Sequence, residues 1–312
     1  MATVSVVTNS QGHEERGSAS EHAIGSPRRE LTRSGASSTM SILMANLANL
    51  IALPFLAAYR SRRPLLATLR DEVRRKFAGS VFGMKWHLIM PLAFLAFYAL
   101  VYIAIFKVKP AAMDPWDYVL LIYVGLIPFL SFSEALTTSV GVLLSNRALL
   151  LNTVFPAEML PLRSVLAAQT TLAVGLAVAV AGSIVLGRAT WCILLVPVPL
   201  VLQVLFLVGT SWILSPIYLL VRDLSQIINL LMLVLFVISP IAYRPESLSG
   251  TVKLLLLLNP LYYFITMFQN LLFDGLLPSP AITLVAIVAS FAIFSLGFWF
   301  FKRVKPIFAD YA

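Results

Sequence analysis

Residues 215–274 read SPIYLLVRDLSQIINLLMLVLFVISPIAYRPESLSGTVKLLLLLNPLYYFITMFQNLLFD. An apolar run ends before Arg222-Asp223 and resumes from Leu224 to Tyr243, which predicts two membrane spans joined by a short charged turn. From Leu254 to Phe273 there are again enough apolar residues to cross a bilayer of about 30 Å. Asn259-Pro260 divides them into two pieces that are each too short to span. Because freed backbone groups at membrane depth need protein or water as partners, we predict a re-entrant pair of half-helices here.

The composition indicates a membrane protein. Hydrophobic residues make up 59% of the chain and charged residues 12%, whereas a soluble domain has about half and about a quarter. The single cysteine, Cys192, excludes an intrachain disulfide and argues against thiolate metal sites. The net charge of +9 comes from basic residues that flank apolar runs. The positive-inside rule explains this placement, so nucleic acid is not an expected partner.

The first 85 residues are divided by composition into three parts. Residues 1–39 are polar and are predicted to be a disordered tail. Residues 40–63 are an apolar segment and a basic linker, in which Asn46, Asn49 and Pro54 favour an interfacial or protein-packed segment, while an additional span stays open. Residues 64–85 are predicted to form an amphipathic cytoplasmic interfacial helix, opened by Pro64, and a hinge.

Residues 86–312 are predicted to form one six-span domain, with spans at 88–106, 118–140, 162–186, 193–220, 227–243 and 281–301. A cytoplasmic N-terminus then places Lys302, Arg303 and Lys305 inside, and leaves few basic residues outside, Arg188 and Arg244 among them. A seventh span at 254–273 would turn the basic C-terminal cluster outward, against the positive-inside rule. We therefore predict an all-α polytopic membrane protein with six transmembrane helices, an N-terminal amphipathic interfacial helix, a re-entrant helical hairpin between spans five and six, and both termini in the cytoplasm.

The sequence offers little support for an enzyme. No Gly-rich phosphate loop ending in Gly-Lys-Ser/Thr occurs, so the chain does not bind and hydrolyse ATP by that route. His13, His22 and His87 are its three histidines, and no paired-carboxylate or metal-spacing motif faces a plausible site. An integral membrane transferase is therefore disfavoured, and no metal or cofactor is expected in this chain.

Two groups of residues within the spans are candidates for a role. Phe94, Tyr98, Tyr102 and Phe106 recur every four residues on the first span, where their rings could stack on sugar faces or pack against lipid and protein. Glu134 lies near the cytoplasmic end of the second span, and Arg163 opens the third. A functional ionisable group, a structural pair between these two residues and snorkelling to the interface all stay open.

A family resemblance is carried by an ordered succession of short motifs. It begins with Gly79-Ser80, Gly83, Trp86 and Pro91, continues through Asn146 and Phe155-Pro156-Ala157-Glu158-Met159-Leu160-Pro161, then through Arg222-Asp223, Ser239-Pro240-Ile241-Ala242-Tyr243, Asn259-Pro260-Leu261 and Asp274-Gly275, and ends with Phe308-Ala309-Asp310. Over roughly residues 64–312, the chain resembles the permease subunit of the ATP-binding-cassette exporters that carry polysaccharides, of the O-antigen and teichoic-acid kind.

The resemblance implies a function and a set of partners. The chain would form a homodimer, and two copies of a separate nucleotide-binding ATPase subunit would hold ATP and Mg. The complex would move a lipid-linked polysaccharide, a polyprenyl-diphosphate-linked glycan, across the bacterial plasma (inner) membrane, with membrane lipids around it. An alternative keeps the architecture but exports a small amphiphile such as a drug or lipid.

The resemblance also implies sites. The ATPase would dock on the loop between the second and third spans and on the turn after the fourth, at Asn146, Arg147, Leu149, Leu150, Phe155, Glu158, Arg222 and Asp223. A helix on the lipid surface is the alternative for that loop. The first and fifth spans would line the channel with Phe94, Tyr98, Tyr102, Phe236 and Tyr243.

The last two predicted sites concern the entry and exit of the substrate. Arg70, Arg74 and Arg75 lie on the interfacial helix, where arginine forks would bind a diphosphate headgroup. Attraction to anionic lipid explains the same residues equally well. Asn259 and Pro260 would form a re-entrant turn at the exit.

Overall fold

The computed structural model describes residues 62–76, 78–101, 113–148, 156–244 and 250–307. These residues are mostly helical, and no strand occurs among them, so the all-α prediction is confirmed. The helices are α1 Arg62–Lys76, α2 Trp86–Ala99, α3 Pro115–Val140, α4 Val142–Ser145, α5 Met159–Val185, α6 Pro197–Leu220, α7 Leu224–Ile238, α8 Gly250–Leu258, α9 Pro260–Gln269 and α10 Pro280–Val304. A π-helical turn, Asn270–Asp274, extends α9.

Four helical segments are long and apolar enough to cross a membrane. They are α3, α5, Trp191–Leu220, which contains α6, and α10. They coincide with the second, third, fourth and sixth predicted spans. Two shorter apolar helices, Gly83–Phe97 and α7, occupy the first and fifth. The prediction of a polytopic membrane protein is therefore confirmed.

The fifth predicted span, 227–243, is wrong at its C-terminal end. Helix α7 stops at Ile238, and Ser239 adopts an extended backbone with ψ 141°. The reason is Pro240, which disfavours helical geometry at the preceding residue and has no N–H to donate. The 15 residues of α7 measure about 22 Å at 1.5 Å per residue. The helix is therefore shorter than a bilayer core.

The first predicted span, 88–106, is only partly covered by the described residues. Helix α2 begins at Trp86 and ends at Ala99, with helical turns continuing to Val101. Residues 102–106 lie outside the described part of the chain, as do residues 1–61, which include the whole of the predicted tail and apolar segment.

Helices α6 and α10 cross at two glycines. A Cβ atom built on Gly297 would lie 2.1 Å from the carbonyl oxygen of Gly209, so only glycine permits this approach. Beside the crossing, the ring of Trp212 packs 5.1 Å from that of Phe294 and 5.2 Å from that of Phe298. The crossing thus packs α10, the sixth predicted span, against α6, the fourth.

Helix α9 lies within the protein. Leu261, Phe264 and Phe268 are at most 1% exposed. The helix contacts α3, α6 and α10. The second half of the predicted hairpin is therefore enclosed by the membrane helices.

Candidate functional site

Two ion pairs join the interfacial helix α1 to the membrane helices. An Nη2 atom of Arg163 in α5 lies 3.1 Å from Oε2 of Glu72, and the ammonium of Lys76 pairs with the carboxylate of Glu134 in α3. Glu72 and Lys76 are four residues apart, so they share one face of α1. The structural pair between Glu134 and Arg163 is therefore not formed, because each of these residues is paired with α1 instead.

The predicted headgroup site occupies another face of α1. Arg70 lies two residues before Glu72, and Arg74 lies two residues before Lys76. Each arginine is therefore about 200° around the helix from a residue that forms an ion pair. Both are exposed, and so is Arg75. The helix begins at Arg62, two residues before the Pro64 that was predicted to open it. Headgroup binding by the three arginines stays a prediction.

Asn146, at the start of the predicted docking loop, is held from both sides. Its Nδ2 donates to the carbonyl of Val142 at 2.8 Å, and its Oδ1 accepts from Arg163 Nη2 at 3.0 Å. The neighbouring Arg147 is exposed. Leu149, Leu150 and Phe155, the other predicted docking residues of this loop, lie outside the described residues.

Glu158, the residue that precedes α5, contacts two other elements. Its Oε2 accepts from Lys305 Nζ at 2.8 Å, and its carbonyl oxygen accepts from the indole of Trp212 at 2.9 Å. Lys305 follows α10 directly, and Trp212 lies in α6. The start of the third span is thus attached to α6 and to the end of α10.

Arg222 and Asp223 form the turn between α6 and α7, as predicted. Helix α6 ends at Leu220, α7 begins at Leu224, and both charged side chains are exposed. Exposure leaves them accessible to a partner. Contact with an ATPase stays a prediction.

The predicted channel aromatics differ in their surroundings. The ring of Phe236 is half-buried and packs 4.9 Å from that of Phe129, whereas Phe94 is 37% exposed. Tyr243 is not on the fifth helix as predicted, because α7 ends before it; its hydroxyl donates to the carbonyl of Ile238. The side chain of Tyr98, and Tyr102 as a whole, lie outside the described part of the chain.

The side-chain amides of Asn259 and Gln269 form hydrogen bonds around the predicted exit turn. Oδ1 of Asn259 accepts from the N–H of Leu261 at 2.9 Å, and its Nδ2 donates to the hydroxyl of Ser239 at 2.9 Å. Nε2 of Gln269 donates to the carbonyl of Pro240 at 3.0 Å. Both amides therefore contact protein. Pro260 occupies the first turn of α9, where the missing N–H costs nothing.

A cluster that sequence reasoning missed surrounds Phe273. The guanidinium groups of Arg188 and Arg244 lie 4.8 and 5.3 Å from its ring centre, within the range of cation–π attraction. Arg188 binds Asp117 at 2.5 and 3.1 Å, and Arg244 binds Asp274 at 2.6 and 2.8 Å. The hydrogen bond to Asp117 raises the pKa of Arg188, which keeps its guanidinium ionised.

The two charged regions lie near opposite ends of α3. Asp117 belongs to the Phe273 cluster and Glu134 to the α1 contacts, about 26 Å apart along the helix at 1.5 Å per residue. This separation agrees with the sidedness expected from the sequence, which assigned Arg188 and Arg244 to one side of the membrane and residues 60–85 to the other. The opposite charges of these arginines and aspartates could have indicated ion pairs on this side. They could not have indicated that both guanidinium groups contact the ring of Phe273.

Comparison with known proteins gives relatives of one kind. No family model matches the chain. It is 27% identical over 248 residues to the O-antigen export system permease protein RfbA of Klebsiella pneumoniae, an alignment that covers 79% of this chain and 93% of the relative. A protein of the same name from Myxococcus xanthus is 27% identical over 238 residues, covering 73% of this chain and 88% of the relative.

A second Klebsiella pneumoniae protein of that name is 25% identical over 248 residues, again covering 79% of this chain and 93% of the relative. The aligned lengths take in nearly all of each relative, and the membrane helices described above fit a permease. The resemblance inferred from the sequence is thereby confirmed: over most of its length the chain is similar to permease proteins of O-antigen export systems.

Proposed function

We propose that this chain is the transmembrane subunit of an exporter that moves a polyprenyl-diphosphate-linked polysaccharide from the cytoplasm across the bacterial plasma membrane. The observation that carries the proposal is the match to O-antigen export permeases over 79% of the chain. ATP is hydrolysed by a separate partner subunit, because the sequence has no phosphate-binding loop of its own. The small amphiphile is not favoured as cargo by any relative.

A second copy of the chain is proposed to complete the channel. On α7, Ile228 and Met232 are buried, one helical turn apart, while Leu230, Leu233 and Val237 are 63%, 62% and 73% exposed. A helix that buries so narrow a stripe has most of its apolar surface available for lipid or for another subunit. Pairing two copies through α2 and α7 would enclose a path between them, with Phe94 and Phe236 as candidate sugar-stacking rings.

The cytoplasmic end is proposed to receive both the substrate and the ATPase. Arg70, Arg74 and Arg75 are exposed on α1 and carry the charge that a diphosphate requires. Two ATPase subunits would dock on the loop that begins at Asn146 and on the exposed Arg222-Asp223 turn, one subunit on each copy of the permease. Both termini of the chain would lie on this side of the membrane.

The exit is proposed to lie at the other end, beside the break at Asn259-Pro260. The hydrogen bonds of Asn259 and Gln269 hold that turn against Ser239 and Pro240, which follow the end of α7. The turn therefore lies next to the helix that is proposed to line the channel. It could shape the mouth through which the glycan leaves.

Deletion of the chain, followed by analysis of glycolipids, tests the proposal. We expect the deletion to remove one polysaccharide from the cell surface and to raise the amount of the same polyprenyl-linked glycan inside the cell. Re-expression of the chain should restore both values. Unchanged surface and internal glycans, with altered tolerance of drugs or lipids, would instead identify the cargo as a small amphiphile and contradict the proposal.

A further inference from the structure

Arg163 connects two elements that the proposed function gives different tasks. Its side chain is buried, with 5% of the residue exposed. One and the same nitrogen, Nη2, lies 3.0 Å from Oδ1 of Asn146 in the docking loop and 3.1 Å from Oε2 of Glu72 in α1. The guanidinium therefore lies between the loop proposed to receive the ATPase and the helix proposed to receive the substrate.

Arg163 has little capacity to exchange these partners for others. Its Nε atom is buried and has no hydrogen-bond acceptor within the described part of the chain. A buried charge that loses a partner is costly, because the desolvation of the guanidinium is no longer compensated. A movement of Asn146 must therefore either carry Arg163 and Glu72 with it or leave a buried cation with one partner fewer.

Each end of the connection is itself held firmly. Asn146 is bonded to Val142 through its amide, so its side chain moves together with α4. On α1, Lys76 repeats the attachment one turn after Glu72 by pairing with Glu134. Glu134 in turn accepts from the hydroxyl of Thr171 at 2.9 Å, and that hydroxyl lies 3.0 Å from Nδ1 of His87. Helix α1 is thus attached at two points along one face, to α5 through Glu72 and to α3 through Lys76.

We propose that Arg163 is a positioning residue that couples the docking loop to the interfacial helix through the contacts Asn146–Arg163–Glu72. Movement of the loop during ATP hydrolysis is transmitted through this guanidinium to α1, and so to Arg70, Arg74 and Arg75 at the substrate entry. The inference rests on the proposed function, since it requires an ATPase at the loop. It goes beyond that function by naming the residues that carry the coupling.

A label on α1 tests the coupling without any substrate. Asp71 is exposed on α1, so Asp71→Cys in a Cys192→Ala background carries a spin label or fluorophore. The complete complex with its ATPase subunit, in lipid nanodiscs, is compared without nucleotide and after trapping with ATP and vanadate. We expect a nucleotide-dependent change of the label signal in the parent. We expect Glu72→Ala to reduce that change at least threefold while ATP hydrolysis stays within twofold of the parent, and Asn146→Ala to reduce the change as well.

Two variants serve as controls. Glu72→Gln keeps an oxygen acceptor for Arg163 and should preserve the label change that Glu72→Ala loses. Asp117→Asn removes the carboxylate partner of Arg188 near the opposite end of α3 and should leave the label change intact. If the contacts of Arg163 only stabilise the fold, the variants should have lower melting temperatures, and label movement and ATP hydrolysis should decrease together.

The outcomes also separate the coupling from the cargo. If Glu72→Ala and Asn146→Ala both keep the parent's nucleotide-dependent change, the proposal is overturned, and an absent change in the parent overturns it as well. If the change is present in the parent and lost in both variants, the coupling holds even where deletion leaves the cell's glycans unaltered. That last combination would contradict only the polysaccharide as cargo.

Discussion

Asn259 illustrates how much one side chain contributes to the break between α8 and α9. Its oxygen caps α9 at the N–H of Leu261, and its amide nitrogen reaches Ser239 beyond the end of α7. The residue is 3% exposed, so water replaces neither bond easily. The sequence could predict the cap, because an asparagine before Pro260 is a familiar helix start. It could not predict Ser239 as the second partner, because that contact depends on tertiary packing.

At this position we predict that Asn259→Ala destabilises the protein by about 1–3 kcal/mol, the usual cost of a lost cap together with an unpaired buried polar group. Unfolding of the detergent-solubilised protein, followed by circular dichroism against temperature or denaturant, measures the change. Gln226→Ala, at an exposed position on α7, is the control and should stay within about 0.5 kcal/mol of the parent. Equal stability of both variants would show that the cap and the bridge contribute nothing.

At the scale of helices, the apolar runs predicted four of the spans well. The end of the fifth was predicted wrongly, and the end of the first lies outside the described residues. The predicted end of the fifth at Tyr243 was wrong because the apolar run continues past Pro240, although the helix stops at Ile238. The apolar run is therefore longer than the helix here, and its end does not mark the end of α7. The partners of Glu134 and Arg163 were missed because both lie on α1, far away in sequence.

The crossing of α6 and α10 gives a prediction for a helix pair. Gly297→Ala introduces a Cβ only 2.1 Å from the carbonyl oxygen of Gly209, so the two helices must separate. We expect a loss of about 2 kcal/mol or more, as for other overpacked sites, seen as a lower melting temperature in detergent. Gly141→Ala is the matched control, because its nearest neighbour is Tyr218 Cε1 at 3.7 Å. Melting temperatures that fall equally in both variants would contradict the assigned contact.

The break between α8 and α9 gives a second prediction at this scale. Asn259→Leu combined with Pro260→Leu removes the cap and restores the missing N–H, so that α8 and α9 can form one continuous helix. We expect export of the glycan to be lost, and the C-terminus to be found outside in part of the protein. Export and the position of the C-terminus are measured in the same cells. Normal export with the C-terminus inside would mean that the break has no part in transport.

For the whole molecule, the sequence predicted the fold class because it depends on composition. The sidedness, inferred from the distribution of charge, stays a prediction. The Phe273 cluster and the α1 contacts lie near opposite ends of α3, in agreement with the positive-inside assignment. The candidate sites were predicted mainly through the resemblance of short motifs. Their contacts could not be obtained that way, because they join residues as distant as Glu158 and Lys305.

Cysteine labelling in intact cells tests this arrangement in a Cys192→Ala background. A re-entrant hairpin puts both of its ends on one side, so a membrane-impermeant maleimide should modify Ser249→Cys and Leu277→Cys from outside. Arg303→Cys, at the other end of α10, should react only after the membrane is opened. Protection of Ser249→Cys while Leu277→Cys reacts would mean that residues 250–274 cross the membrane.

Transport in a reconstituted system tests the central claim most directly. The chain and its ATPase subunit are placed in liposomes with a radiolabelled polyprenyl-diphosphate glycan, and ATP is supplied on the side of the ATPase. The lumenal glycan is then measured by its protection from a glycosidase added outside. We predict that protection rises with time in the presence of ATP, and that it stays at the starting level without ATP or with an ATPase-inactive partner. Equal protection with and without hydrolysable ATP, in liposomes where ATP is being consumed, would contradict the claim.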